Sequence, residues 1–386
     1  MFQYFPENYA WSMAVLHALS MGGVISEIDD VCKALKETSR KDDDQAQEAW
    51  CESWKTIARR MERLAAGDES SGRYLSAGRK YLRAAVYYLE ADRMLSIRDP
   101  KKVETYQWGL TAFKKGIQLS KEPAEWVEIP LRGKSIPAIL SKPPIQGRIP
   151  CMVHFDGFDM LKEFLFLMNA ETFRKRGLAI LFVDHPGVGE ALRLRGMIGG
   201  PDTETPAAAC VDYLQKRPDI HPDRIGIIAQ SLGGYYAPRA AAFEKRFKCC
   251  IAHGACWDFG ENVSKRLIGK GGEKSVGKWE DQLMWVLGKN TLEEAVKVAK
   301  QMTLEGIADK IACPLLVIHG ENDRQIPLVH AQKTIEAAIN SPKKELKIFT
   351  VAEGGAEHVQ IDNRTMGVDY AADWAAEILG GNPKGI

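Results

Sequence analysis

The sequence lacks an excess of charge of either sign: 52 Lys+Arg stand against 51 Asp+Glu, a net charge of +1 over 386 residues. A chain so close to neutral sets up no field that would draw in nucleic acid or an anionic membrane surface, and neither is expected as a partner. No apolar run comes near the roughly 20 residues that cross a bilayer. The start, Met1-Phe2-Gln3-Tyr4-Phe5-Pro6-Glu7, has no basic segment leading into an apolar core, so no secretory signal is expected. Eight cysteines are present without any C-x-x-C pair, which removes zinc ribbons and thioredoxin-type sites. Several lie in apolar runs such as Pro150-Cys151-Met152-Val153 and Lys248-Cys249-Cys250-Ile251, as buried free thiols of a reducing compartment do. A cytoplasmic protein is the expectation. No repeat of fixed period is visible. Asp184-His185-Pro186-Gly187-Val188-Gly189 lacks the third glycine of a dinucleotide loop and reads as a structural turn.

What is present is ordinary globular composition, 45% hydrophobic and 27% charged, in a chain long enough for a large core and a second, smaller domain. Residues 1–121 read as an irregular helical domain. Apolar residues recur at helical spacing over Trp11–Leu35, Ala49–Leu64, Tyr74–Leu95 and Val103–Ile117. Residues 122–386 read as an α/β domain. Alternation over Glu125–Leu131, the turn Arg132-Gly133-Lys134 and the run Ser135–Leu140 predict a hairpin. Buried-type strands follow at Ile149–Phe155, Leu178–Val183, Ile225–Ala229, Cys249–Ala252, Pro314–His319 and Leu346–Val351. Helices are expected between them at Leu161–Arg176, Thr203–Lys216, Gly233–Arg246 and Val329–Ala338. That alternation means a mostly parallel sheet flanked by helices. A helical insertion over about 260–311 interrupts it before the strand that leads to Asp323.

Ile225-Gly226-Ile227-Ile228-Ala229-Gln230-Ser231-Leu232-Gly233-Gly234 runs strand, sharp turn, helix, the setting of a nucleophile elbow. Small residues must flank such a serine. Gly233 supplies one, and Ala229 stands where the usual pattern has glycine. A serine hydroxyl needs a base, and the base needs an orienting acid. After later strand ends come Asp323, in His319-Gly320-Glu321-Asn322-Asp323, and His358, in Gly354-Gly355-Ala356-Glu357-His358. Glu321 and Glu357 are rival acids. Oxyanion donors are expected from the backbone N–H of Leu232 and from the loop His154-Phe155-Asp156-Gly157-Phe158, with Phe158 N–H as the candidate. Of the other histidines, His17, His185, His221, His319 and His330 read as structural, while His253 ends a strand and could face the pocket.

The chain resembles the α/β-hydrolases with an N-terminal helical domain, a group that includes the 2,6-dihydroxypseudooxynicotine hydrolase type and the fungal heptaketide hydrolases of the yellowish-green type. The matching pieces are Asn8-Tyr9-Ala10-Trp11-Ser12, Gly22–Asp29, the Ser70–Ala91 helix, Asp223-Arg224-Ile225-Gly226, Gln230–Gly234 and Cys313–Gly320. They span nearly the whole chain. The resemblance implies an α/β-hydrolase fold with a helical cap, a metal-free and cofactor-free site, and hydrolysis of a carbon–carbon bond beside a ketone on an aromatic or polyketide-like small molecule. It also implies an auxiliary acid soon after the strand that follows the nucleophile helix, for which Asp258 and Glu261 are candidates beside Trp257; a helix N-cap fits the same spacing. Asp156 and His253 are further candidates for that role or for substrate contact. The cap and the insertion would roof the site. A carboxylesterase, a thioesterase or an acyltransferase would use the same triad, and a non-catalytic binding protein would lose a member of it. The aromatic helical domain offers a homodimer interface.

Overall fold

The computed structural model describes residues 1–41 and 43–386. The chain forms two compact units, Met1–Ala124 with Glu273–Leu283, and Glu125–Gly272 with Met284–Ile386.

The first unit is built on α1 (Tyr9–Ser20), α2 (Ile25–Cys32), α3 (Asp44–Ser70), α4 (Tyr74–Arg93) and α5 (Pro100–Ser120). Side chains start three of them: Asn8 accepts the N–H of Trp11, Asp43 that of Ala46, and Asp99 that of Lys101, with Pro100 at the first helical position. The single helical stretch read over Trp11–Leu35 is two helices. The N–H of Gly23 turns back onto the Ala18 carbonyl at 2.8 Å and closes the first one off. The expected aromatics line the interior in a chain of ring contacts, Phe5–Trp11 at 5.3 Å, Trp11–Trp50 at 4.7 Å, Trp50–Trp54 at 5.0 Å and Trp54–Tyr87 at 5.8 Å. These five rings are core. Periodicity assigned the whole insertion to the sheet domain, but Glu273–Leu283 belongs to the helical unit. There the Ser275 carbonyl takes an N–H of Arg93, Lys278 pairs with Asp44 at 3.2 Å, and Trp279 is buried.

The second unit is an eight-stranded sheet. The strands are β1 (Glu125–Leu131), β2 (Lys134–Ser141), β3 (Ile149–Phe155), β4 (Ala179–Val183), β5 (Ile220–Gln230), β6 (Cys250–His253), β7 (Leu315–Gly320) and β8 (Lys344–Phe349), in the order β1-β2-β4-β3-β5-β6-β7-β8. β1, β2 and β4 pair antiparallel, and all other pairings are parallel. The helices are α6 (Lys162–Lys175), α7 (Gly189–Arg193), α8 (Glu204–Gln215), α9 (Gly233–Phe243), α10 (Phe259–Leu267), α11 (Trp279–Val286, its first residues in the helical unit), α12 (Leu292–Ala299), α13 (Val329–Ala337) and α14 (Arg364–Leu379). Two were not expected, the five-residue α7 and the whole of α14. This is the α/β-hydrolase fold, a mostly parallel sheet with flanking helices and an N-terminal helical region.

The strand order reverses between β3 and β5: from β3 the chain moves to β4 on one side, and from β5 it moves to β6 on the other. Loops leaving the carboxyl ends of these two neighbours diverge and leave a crevice, the place where open α/β sheets bind ligands. All eight cysteines are buried and free. Among the described residues no helix is long and apolar enough to cross a membrane.

Candidate active site

Ser231 follows the last residue of β5 at φ 60, a left-handed conformation that a side-chain-bearing residue adopts only when its surroundings hold it there. The elbow explains its small neighbours. A Cβ at Gly233 would stand 2.6 Å from the Cβ of Ala229 and 2.9 Å from the Asp156 carbonyl, so one of the two flanking positions can carry a methyl group only if the other does not. Ser231 N–H donates to the His253 carbonyl at 2.9 Å, which fixes the elbow to the end of β6.

The loops after β5, β7 and β8 bring three side chains into line. His358 Nε2 lies 2.8 Å from Ser231 Oγ, and His358 Nδ1 lies 2.7 Å from Asp323 Oδ2. The tautomer follows from the partners: Nδ1–H donates to the carboxylate, which leaves Nε2 to accept the serine hydroxyl. Asp323 is aimed by its own turn, because its Oδ1 accepts the N–H groups of Gln325 at 2.8 Å and Ile326 at 2.9 Å. Burial opposes its ionisation, yet the charge and hydrogen bond of His358, with His319 and the Ile326 N–H, hold its carboxyl below the ordinary value. The rival acids are engaged elsewhere. Glu357 accepts from Asn322 at 2.9 Å and Arg324 at 3.0 Å, and Glu321 accepts the Val351 N–H at 3.0 Å.

The turn that carries His358 is also strained. Val359 and Gln360, directly after His358, have φ 47 and 54, and for the β-branched Val359 that is costly. Gln360 is tied down by His253, whose Nε2 lies 2.5 Å from its Oε1. His253 is buried, which pushes its imidazole down to about 3.

Leu232 N–H, at the start of α9, meets no acceptor among the described residues. The loop after β3 runs hard against the elbow: a Cβ on Gly157 would be 2.7 Å from the Gln230 carbonyl and 2.9 Å from Ser231 Cβ. Gly157 N–H is already given to Asp156 Oδ1 at 2.6 Å. Asp156 is fully buried, which pushes its carboxyl up to about 7.

Asp258 and Glu261 lie at the start of α10. Asp258 caps α10 by accepting the Glu261 N–H at 2.7 Å, and Glu261 pairs with Lys265 at 2.5 Å one turn on. This is the capping arrangement that the spacing allowed. Trp257, half-buried, gives its backbone N–H to His330 Nδ1 at 3.0 Å. Sequence reasoning missed Asn169, Gln360 and Arg364, polar side chains buried behind the elbow and the histidine turn. Gln230 lies inside the elbow motif and could have been singled out, but nothing local marks Arg364.

The 2,6-dihydropseudooxynicotine hydrolase of Paenarthrobacter nicotinovorans is 29% identical over 343 residues, 86% of this chain and 84% of that protein. Hydrolase acrC of Aspergillus aculeatus is 26% identical over 412 residues, 94% of each chain. The crystal structure of 2,6-dihydroxy-pseudo-oxynicotine hydrolase superposes with a TM-score of 0.76 at 25% identity over 95% of both chains. Residues 165–382, more than half of the chain and the part that carries Ser231, Asp323 and His358, match the prolyl oligopeptidase family. With this sheet order and this elbow, the chain belongs to the prolyl oligopeptidase family of α/β-hydrolases.

Proposed function

We propose that this protein is a serine-triad hydrolase that cleaves a carbon–carbon bond beside a ketone in a β-diketone or polyketide-like small molecule. Ser231 is the nucleophile, His358 the base and Asp323 the acid that orients it. The observation that carries the reading is the unbroken chain from Asp323 Oδ2 through both His358 nitrogens to Ser231 Oγ, with links of 2.7 and 2.8 Å. The backbone N–H groups of Leu232 and Phe158 are the oxyanion donors.

The steps balance on these groups alone. Ser231 Oγ adds to the ketone carbon as its proton passes to His358 Nε2, and the two N–H groups take the negative charge of the alkoxide. The alkoxide collapses, the carbon–carbon bond breaks, and its electron pair leaves as a carbanion stabilised by the remaining carbonyl or aromatic system. The His358 imidazolium returns the proton to that carbon. Water, deprotonated by His358, then attacks the acyl-serine; the bond to Ser231 Oγ breaks, Oγ takes the proton back from His358, and the carboxylic acid is released. The reaction draws no proton from Asp258 or Glu261, in keeping with their cap and ion pair. Preference for a ketone over an ester rests on likeness along nearly the whole chain, N-terminal helices included, to the 2,6-dihydropseudooxynicotine hydrolase.

Product analysis by mass tests the proposal. Purified protein and its Ser231→Ala variant are incubated with aryl β-diketones, naphthopyrone-type polyketides and simple aryl esters. An acid plus a shortened ketone or phenol from substrates without an ester, absent with the variant, is the expected result. Turnover of esters alone would replace this reading with that of a carboxylesterase.

A further inference from the structure

Behind the elbow lies a line of buried polar side chains that no step of the proposed reaction uses. Asp156 Oδ1 accepts the Gly157 N–H at 2.6 Å and the Gln230 side-chain N–H at 3.2 Å. The other end of that amide, Gln230 Oε1, accepts from Arg364 Nη2 at 2.8 Å. The same Arg364 nitrogen lies 3.5 Å from Asn169 Oδ1, and Asn169 Nδ2 lies 3.0 Å from His154 Nε2. All five side chains are buried. The line joins segments far apart in sequence. Asp156 opens the loop that carries Phe158, Gln230 directly precedes Ser231, and Arg364 begins α14 just after the His358 turn.

We propose that Asp156, Gln230 and Arg364 form a buried clamp of positioning residues that holds the oxyanion loop, the nucleophile elbow and the histidine turn in one register. The inference rests on the roles given above to Ser231 and to the Phe158 N–H.

Chemistry fixes the polarity of the clamp. Gln230 sits between an acceptor and a donor, so its NH₂ must face Asp156 and its oxygen must face Arg364; a reversed amide would set oxygen against carboxyl and NH₂ against guanidinium. Asp156 acts twice. By engaging the Gly157 N–H it pins the loop one residue before Phe158. By engaging Gln230 it ties the loop to the residue before the nucleophile. The close approach of Gly157 to Gln230 and Ser231 shows why register matters here: the loop has no slack to shift without striking the elbow. Burial also favours the protonated acid at Asp156 and lowers the Arg364 guanidinium to about 10. Asp156 Oδ2 and Arg364 Nε and Nη1 have no hydrogen-bond partner among the described residues. Such polar burial costs stability, so a purely structural role would be served as well by apolar side chains of similar size.

The test uses the full-length protein and a p-nitrophenyl ester as the turnover probe, with an aryl trifluoromethyl ketone as the mimic of the tetrahedral intermediate. Asp156→Leu and Gln230→Met are expected to lower kcat about 10²-fold while KM changes less than about threefold, since a displaced oxyanion donor weakens only transition-state binding. Inhibition by the trifluoromethyl ketone should weaken by the same factor. Asp156→Asn keeps the Oδ1 acceptor without the charge and should restore kcat to within about threefold of the parent. Should Asp156→Leu not fold, Gln230→Met and Asp156→Asn carry the comparison. Folded Leu or Met variants with undiminished kcat, a fall in kcat with unchanged trifluoromethyl ketone inhibition, or an Asn variant as slow as Gln230→Met would each overturn the clamp while ester turnover stays Ser231-dependent. Wild-type turnover that survives Ser231→Ala would instead overturn the proposed function, and the clamp with it.

Discussion

The aromatic core of the helical unit and the candidate site of the sheet unit achieve order by opposite means. In the helical unit large side chains do the packing, with Phe5, Trp11, Trp50, Trp54 and Tyr87 in successive ring contact. Its polar ties brace that core: Tyr87 OH donates to Glu27 Oε2 at 2.6 Å and accepts the Val24 N–H, which joins α2 to α4. Around the candidate site in the sheet unit, order comes from the absence of side chains. Gly157 and Gly233 let backbone touch backbone, and Ser231 and Val359 are held at φ 60 and 47. The aromatic core should therefore suffer when atoms are removed, and the elbow when they are added. Strain gathers where chemistry is proposed and is missing from the aromatic core.

The largest expected effect lies in the strained unit. Ser231→Ala should lower turnover of any substrate by at least about 10⁴-fold and abolish labelling by a fluorophosphonate, with melting temperature within a few degrees of the parent. Retained labelling would mean that another residue is the nucleophile. Next comes removal of atoms from the aromatic core: Trp50→Ala should cost about 3–5 kcal/mol of stability in denaturant titration, mostly in the transition of the helical unit. Addition of a single methyl group at Gly233→Ala, against Ala229 Cβ, should cost about 1–3 kcal/mol and reduce activity more than stability. If Gly233→Ala were silent and Trp50→Ala cheap, the contrast between the units would fail.

Acidity should separate the units as well. Burial lowers His154 and His253 to about 3, and His185 and His330 to about 4, from an ordinary 6.5; all four lie in the sheet unit. The unfolded chain protonates these groups below 6.5 and the folded one does not, so their contribution is lost as pH falls from 6.5 toward 4. Asp156 works the other way, since its pKa is raised from 3.8 to about 7 and its contribution fades as pH rises through that range. Glu163, whose carboxyl burial likewise raises, acts as Asp156 does; the four imidazoles, joined by His319, which burial also lowers, outweigh these two carboxyls, and the melting temperature of the sheet unit should fall between pH 6.5 and pH 4.5. A melting profile flat across that window would contradict the burial of these imidazoles.

The smallest effect concerns Asp258. As a helix cap, Asp258→Ala should cost about 1 kcal/mol and Asp258→Asn almost nothing, with kcat unchanged in both. A large loss of ketone cleavage in Asp258→Asn, with esters unaffected, would restore it as a proton donor.

Much of the site was legible because its chemistry demands particular residues at strand ends. Ser231 has small residues two places away on either side, and Asp323 and His358 each follow a strand, so linear order together with strand–helix alternation picks out three side chains that the structure brings within hydrogen-bonding reach. Choosing Asp323 over Glu321 and Glu357 was harder, and the structure shows why: all three lie in the same two loops, and only the Asx turn onto Gln325 and Ile326 aims Asp323 at the imidazole. The boundary at Gly22–Gly23 was missed because apolar periodicity ran on through it. The place of Glu273–Leu283 was missed because its partners, Asp44 and Arg93, are distant in sequence. α14 escaped because its alanine-rich face gives a weak periodic signal.

Hydrophobic period and strand-end chemistry are local properties, so the helical N-terminal region, the mostly parallel sheet and the positions of Ser231, Asp323 and His358 at strand ends are legible in the residues alone. Which carboxylate faces His358, that Asp258 caps a helix, and that Asp156, Gln230 and Arg364 meet behind the elbow are set by the packing of distant segments. Each of those depends on distances between segments that the strand order β4-β3-β5-β6-β7-β8 brings together, and no local pattern encodes a distance across a sheet.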